Sequence, residues 1–198
     1  MLGGDRKHDK EIVILGRRVN WKDTGIQYQA DPKHREQILH YFGFGKDSRP
    51  LKSNGEKERE DEEGESELLS KDEAKVYRGM AATLNFLSLD CPDLQFAPKA
   101  AAREMSAPRI SSWKVLKKLA RYLVGREAVV WEFKWQDSPW YSHTWGDSDW
   151  GGNVKDGKST SGGVWMVGMH LVKTWSASQG AFALSSAEAE LYGMVEAV

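Results

Sequence analysis

Residues 145–165 read WGDSDWGGNVKDGKSTSGGVW. Asp147 and Asp149 stand two residues apart, between Trp145 and Trp150. In an extended strand they would point to the same face. Two carboxylates on one face repel unless a cation neutralises them, and hard oxygen ligands of this kind suit Mg²⁺ or Mn²⁺. Aspartate is also common in polar turns, and Gly146, Gly151 and Gly152 leave the backbone room for one. Taken alone, the pair reads as a turn. The rest of the chain decides.

Around this stretch the pattern is β. AVVWEFKW, PWYSHTWGDS, SGGVWMVGM and HLVKTWSAS are short, aromatic and β-branched, with glycine or polar breaks between them. Eight of the nine tryptophans lie between 113 and 175, mostly as expected core and sheet-face residues. The segment LSSAEAELYGMVEAV then reads as a helix. Ser185 and Glu188 have capping-box spacing, so Glu188 is expected to reach back to the N-cap amide. Leu191, Met194, Val195 and Val198 form an apolar stripe expected to face the core. Glu190 borders that stripe and could look across at a neighbouring sheet; an ordinary solvated glutamate is the plainer alternative.

Upstream, EIVILGRRVNWKDTGIQYQA (11–30) predicts a hairpin turning at KDTG. Asp31-Pro32 offers an N-cap and a first-turn proline for a helix with Ile38, Leu39 and Phe42 on its apolar face. This piece is too small to be a domain, and its core must come from elsewhere. Residues 56–67, EKEREDEEGESE, hold eight acids and two bases without one apolar side chain. Such a run cannot offset its ordering entropy, so 45–70 reads as a flexible linker. From Lys71 the spacing of Val76, Met80, Leu84 and Leu87 predicts a helix. SSWKVLKKLARYLVG predicts another, with a serine cap and Leu116, Leu119, Ala120 and Leu123 turned inward. Its other flank carries Lys114, Lys117, Lys118 and Arg121, either a solvated face or a phosphate-contacting patch.

Composition narrows the function classes. Charges nearly balance at formal net −1, so global charge does not announce a nucleic-acid binder. The single cysteine, Cys91, allows no internal disulfide and suits a reducing compartment. The five histidines (8, 34, 40, 143, 170) show no metal-ligand spacing. No apolar run is long enough to span a membrane, and the start lacks a signal-peptide h-region.

The motifs in order are more specific than any one alone. GDSDWGG, GKSTSGG, VKTWSAS and LSSAEAELYG together resemble the ribonuclease H region of copia-type LTR retrotransposon Pol polyproteins. Less tightly, 77–125 resembles the segment joining reverse transcriptase to ribonuclease H, and 15–44 the end of the reverse transcriptase. The resemblance implies an α/β (α+β) chain with a partial ribonuclease H-like fold: antiparallel strands with a packed helix, preceded by a helical connecting segment and a β-hairpin plus helix. It implies a reverse transcriptase-like end at 1–44, the connecting segment at 71–125 and a C-terminally truncated ribonuclease H-like domain at 126–198; the acidic linker at 45–70, read from composition, departs from the family pattern.

The same resemblance places Asp147 on the family's first catalytic aspartate and Glu190 on its catalytic glutamate, with Asp149 on a second aspartate of less certain role. Complete sites of this kind hold two Mg²⁺ (or Mn²⁺) ions, about 4 Å apart, at the scissile phosphate of an RNA–DNA hybrid. One ion activates water and the other stabilises the leaving oxygen. The family's third aspartate lies on a strand after this helix, so the 198 residues are expected to hold part of a site. The alternative function is an inactive remnant, or a recruited scaffold that at most binds nucleic acid. Implied partners are the hybrid and the rest of the polyprotein, with no membrane; the implied location is cytoplasmic, in a virus-like particle, or nuclear, and not secreted.

Overall fold

A computed structural model describes residues 1–54, 66–153 and 156–197. The contacts divide the chain into two units. One is built from residues 13–18 and 29–130, the other from 1–12, 19–28 and 131–198.

The first of these is helical. Helix α1 (Pro32–Tyr41) starts as the sequence predicts: Asp31 accepts the Lys33 amide and Pro32 fills the first turn, where a missing N–H costs nothing. Helix α2 (Lys71–Leu87) opens on a capping box between Ser70 and Glu73. Accepting hydrogen bonds from the Ser70 hydroxyl and amide holds the Glu73 carboxyl below its usual range. The buried face of α2 is Ala74, Tyr77, Ala81, Leu84 and Leu87; Leu84 and Leu87 are buried as expected, while Val76 and Met80 are only half-buried and Tyr77 and Ala81 take their place. Tyr77 explains the shift. Its ring is fully buried and its hydroxyl donates to the Ala101 carbonyl at 2.8 Å, so the polar tip is satisfied inside. Helices α3 (Phe96–Arg103) and α4 (Ile110–Val124) complete the unit.

Leu116, Leu119, Ala120 and Leu123 of α4 are buried as predicted. The predicted serine cap is corrected. The N-cap is Arg109, and Ser112 instead accepts the Arg109 amide from inside the first turn, at 3.0 Å. Ile38, Tyr77, Ala81, Leu84, Leu116 and Leu119 form one core cluster. Arg17 closes its edge, donating through Nε to both oxygens of Asp90 at 2.9 and 3.2 Å.

The flanks of the acidic stretch are anchored to α4 and the residues just before it. The Leu51 amide donates to the Arg121 carbonyl at 3.2 Å, and the Leu69 amide to the Pro108 carbonyl at 2.9 Å. The Ser66 hydroxyl accepts the Ser111 amide at 2.9 Å. Residues 55–65, the middle of the expected linker, lie outside the described residues.

The second unit carries two sheets. Strands β1 (Glu11–Ile14), β2 (Arg17–Lys22), β3 (Gly25–Gln29) and β4 (Val130–Lys134) form a sheet in that order, some of their end residues counting with the helical unit. The predicted hairpin is β2–β3. It gains β1 through a two-residue turn at Leu15 and Gly16, both at positive φ (51° and 79°), the type I′ geometry that suits a twisted hairpin. The hairpin finds its packing partners beside β4: Trp21 meets Trp135 at 4.5 Å between ring centroids, and Gly25 lies against the Phe133 backbone, where a Cβ would come within 2.2 Å of its carbonyl oxygen. Of residues 1–44, 13–18 and 29–44 count with the helical unit and 1–12 and 19–28 with the second.

Strands β5 (Ser142–Asp149), β6 (Thr160–Val167) and β7 (His170–Ser178) form an antiparallel sheet in sequence order. Helix α5 (Ser186–Glu196) packs on β5 and β6. Mixed α/β architecture with antiparallel sheets agrees with the expected class. No described helix is long and apolar enough to cross a membrane.

Two outcomes follow for the helical core. Leu84→Ala removes a fully buried side chain and should cost about 2–5 kcal/mol by chemical denaturation. Cys91 is buried, and burial, then Asp93 and Asp90, push its thiol from 9.0 up to about 12. Native protein should resist iodoacetamide at pH 8 and react once unfolded. An unfolded thiol ionises near 9 and the folded one near 12, so this group withdraws stability as pH rises from 9 to 12.

Candidate active site

β5 carries the aspartates because the run SHTWGDSD pairs residue for residue with β6, placing Asp147 opposite Gly162 and Asp149 opposite Thr160. Small residues dominate this end of the sheet. Gly163, opposite both Gly146 and Trp175, leaves room for the Trp175 ring, which lies 2.0 Å from where a Cβ would sit.

Helix α5 crosses β5 by close backbone approach. A Cβ on Gly193 would sit 3.7 Å from Ser148 Cβ, 3.7 Å from Ser161 Oγ and 3.9 Å from the Asp147 carbonyl oxygen; one on Gly146 would sit 3.6 Å from the Gly193 carbonyl. Gly146 and Ser148 thus face the helix. Strand alternation sends Asp147 and Asp149 to the opposite face. Asp147 is exposed there, in line with Tyr141, His143 and Trp145, whose rings follow one another at 4.8 and 5.3 Å. Asp149 is half-buried, and its Oδ1 accepts the Thr160 amide. A side chain at Gly152 would collide with its other oxygen. Asp149 therefore ties the end of β5 to the start of β6.

Glu190 is half-buried on α5, one turn before Gly193. The Asp147 backbone is thus brought within a helical turn of Glu190, while the Asp147 carboxylate leaves from the other face. Among the described residues no group of three His, Cys, Asp or Glu side chains could hold a metal ion. The residues present do not by themselves fit a two-metal centre. Lys114, Lys117, Lys118 and Arg121 lie on α4, in the helical unit, with Lys114 and Lys117 exposed and Lys118 and Arg121 half-buried.

Two expectations about α5 are corrected. Glu188 reaches the Leu184 amide (2.7 Å) rather than that of the N-cap Ser185, while the Ser185 hydroxyl accepts the Glu188 amide at 3.2 Å. The second Glu188 oxygen accepts the Tyr192 hydroxyl at 2.9 Å, which raises the Tyr192 pKa. The stripe Leu191, Met194 and Val195 does not face the core; these residues are 58%, 62% and 68% exposed, and Val198 lies outside the described residues. The helix buries Ala189 and Gly193 instead, because its backbone comes too close to β5 for large side chains.

Gln179 was not singled out by any sequence pattern. It is 2% exposed, and its Nε2 donates to Ser161 Oγ at 2.9 Å and to the Ala189 carbonyl at 2.8 Å, joining β6 to α5. A lone glutamine after a strand gives no periodic signal.

The retrovirus-related Pol polyprotein from transposon RE2 of Arabidopsis thaliana is 32% identical to this chain over 114 residues, covering 58% of the chain and 8% of that protein. The chain spans less than a tenth of this relative's length. The similarity supports kinship with a Pol polyprotein. No protein-family profile matches the chain, and no solved structure matches it.

Gln179→Leu should lower stability by about 1–3 kcal/mol, by stranding the Ser161 hydroxyl and the Ala189 carbonyl. In hydrogen-exchange measurements the loss of protection should concentrate in α5.

Proposed function

We propose that the chain is a fragment of a copia-type LTR retrotransposon Pol polyprotein, spanning the end of the reverse transcriptase, the connecting segment and the first part of the ribonuclease H domain. The order of motifs along β5, β6, β7 and α5 carries this reading, and the transposon relative supports it. The GDSDWGG segment ends the first strand and the LSSAEAELYG segment opens the helix that packs on it. In the complete polyprotein this region would cut the RNA of an RNA–DNA hybrid, in the cytoplasm or nucleus, with Mg²⁺ or Mn²⁺; because Asp147 and Glu190 do not share a surface here, the rest of the domain would have to bring the two carboxylates together.

The 198 residues alone act as the non-enzymatic alternative. No metal-sized cluster of three ligating side chains exists among the described residues. Asp147 and the α5-facing side of β5 lie on different surfaces. The unit instead supplies a scaffold: β5 presents Asp147 to solvent, and Gly193 and Gln179 fix the helix that bears Glu190.

A labelled RNA–DNA hybrid with Mg²⁺ or Mn²⁺ tests this. The chain alone should bind the ions weakly and leave the hybrid uncut. Fused to the relative's corresponding downstream segment, it should cut, and Asp147→Asn should abolish the cleavage. Robust cleavage by the chain alone, retained in both Asp147→Asn and Glu190→Gln, would place the chemistry on other residues.

A further inference from the structure

We propose that the outer face of helix α5 is a docking surface for a basic amphipathic helix of a partner protein, one whose apolar stripe is bordered by lysine or arginine. The proposal is independent of the ribonuclease H reading.

Helix α5 has two apolar faces of opposite kind. Its small face, Ala189 and Gly193, is buried against the sheet. At 3.6 residues per turn, Leu191, Met194 and Val195 centre about 170° from that contact. They point away from the sheet, and each is more than half exposed. Leu184 is 78% exposed at the N-terminal end, where its amide is held by Glu188 at 2.7 Å. Single exposed apolar side chains are ordinary on any surface. Three at i, i+3 and i+4 on one rigid face form the pattern by which one helix receives another. With Ala187, also exposed, the stripe runs about 12 Å, just over two turns.

The charges select the occupant. On the helix surface Glu190 borders the stripe beside Met194, and Glu188 borders it beside Val195. Glu196 adds a third carboxylate, and α5 holds no lysine, arginine or histidine. None of the three glutamates forms an ion pair among the described residues. Glu188 accepts from the Leu184 amide and the Tyr192 hydroxyl, both neutral donors, so its charge stays uncompensated. Charges beside an apolar seam choose the partner of a helix: opposite ones admit it and like ones reject it. A second copy meeting face to face would set glutamate against glutamate. Three partly exposed side chains also fall well short of the roughly 800 Å² that each member of a stable dimer buries, whereas a transient contact needs less. An anionic lipid surface calls for cations on the flanks, where α5 offers carboxylates. A helix with lysine or arginine on both flanks satisfies the stripe and the carboxylates together.

The test is fluorescence anisotropy of the full chain, in EDTA at low salt, with labelled helical peptides of about three heptads. One peptide carries leucine at a and d and lysine at e and g. A second has glutamate in place of lysine. Two more are scrambles of these, with the same composition and no stripe. The leucine–lysine peptide should bind at least about tenfold more tightly than its scramble, a small part of what burying three aliphatic side chains contributes. Its advantage over the leucine–glutamate peptide should exceed that of the scrambled pair by about fivefold, the share of two exposed ion pairs, and should shrink at high salt. The scrambles remove non-specific attraction to the acidic stretch at 56–67. Leu191→Ser/Met194→Ser/Val195→Ser changes exposed side chains alone; it should keep the fold and abolish the difference between the striped peptide and its scramble. In ¹⁵N spectra of the unaltered protein the leucine–lysine peptide should shift the amides of residues 187–196, which locates the contact whether or not the variant folds. Equal binding of the striped and scrambled lysine peptides would overturn the proposal, as would shifts confined to other residues. A dimer of the unaltered chain in sedimentation, lost in the triple variant, would overturn it in favour of a second copy. The assay contains no nucleic acid and no divalent ion, so its failure leaves the ribonuclease H reading untouched, and the reverse holds.

Discussion

Helix α5 rests on β5 backbone to backbone, with Gly193 against Gly146 and Ser148. Much of the second unit's local order depends on that approach. It permits only Ala189 and Gly193 to be buried on the helix. It gives Gln179 its two hydrogen bonds and turns Leu191, Met194 and Val195 outward. It also fixes the parity of β5, and so the side from which Asp147 emerges.

The helical unit depends on a different device, interdigitation of large side chains around Tyr77 and Leu84. There, the periodicity of apolar residues is a fair guide. Leu116, Leu119, Ala120 and Leu123 were legible in α4 because a helix packing through leucines must repeat them at three and four. In α2 the same rule placed Leu84 and Leu87 but missed by one position in the first half of the helix. Hydropathy ranks Val76 and Met80 above Tyr77, yet the ring fills more volume and its hydroxyl finds the Ala101 carbonyl.

In α5 the rule failed outright, for a related reason. Periodicity assumes that the most apolar face is the one that packs. A helix held by glycine and alanine inverts this, because closeness and not bulk sets its contact. The strands were easier to read. Their aromatic, β-branched runs end at glycines, and the structure's boundaries follow them closely. The aspartates were legible as a pair on one face, but not which face, since that depends on where the helix lands. Ser185 and Asp31 were readable as caps because their hydrogen bonds are local. The partner of Glu188 shifted by one residue, from the Ser185 amide to that of Leu184.

The account turns on which face of β5 meets α5, and NOE contacts in ¹³C- and ¹⁵N-labelled protein measure that directly. Gly193 Hα should show contacts to the Ser148 β-protons and to Ser161, with the Asp147 β-protons showing none to α5. Strong contacts from the Asp147 β-protons to α5, with Ser148 facing solvent, would contradict the parity and place both carboxylates on one surface.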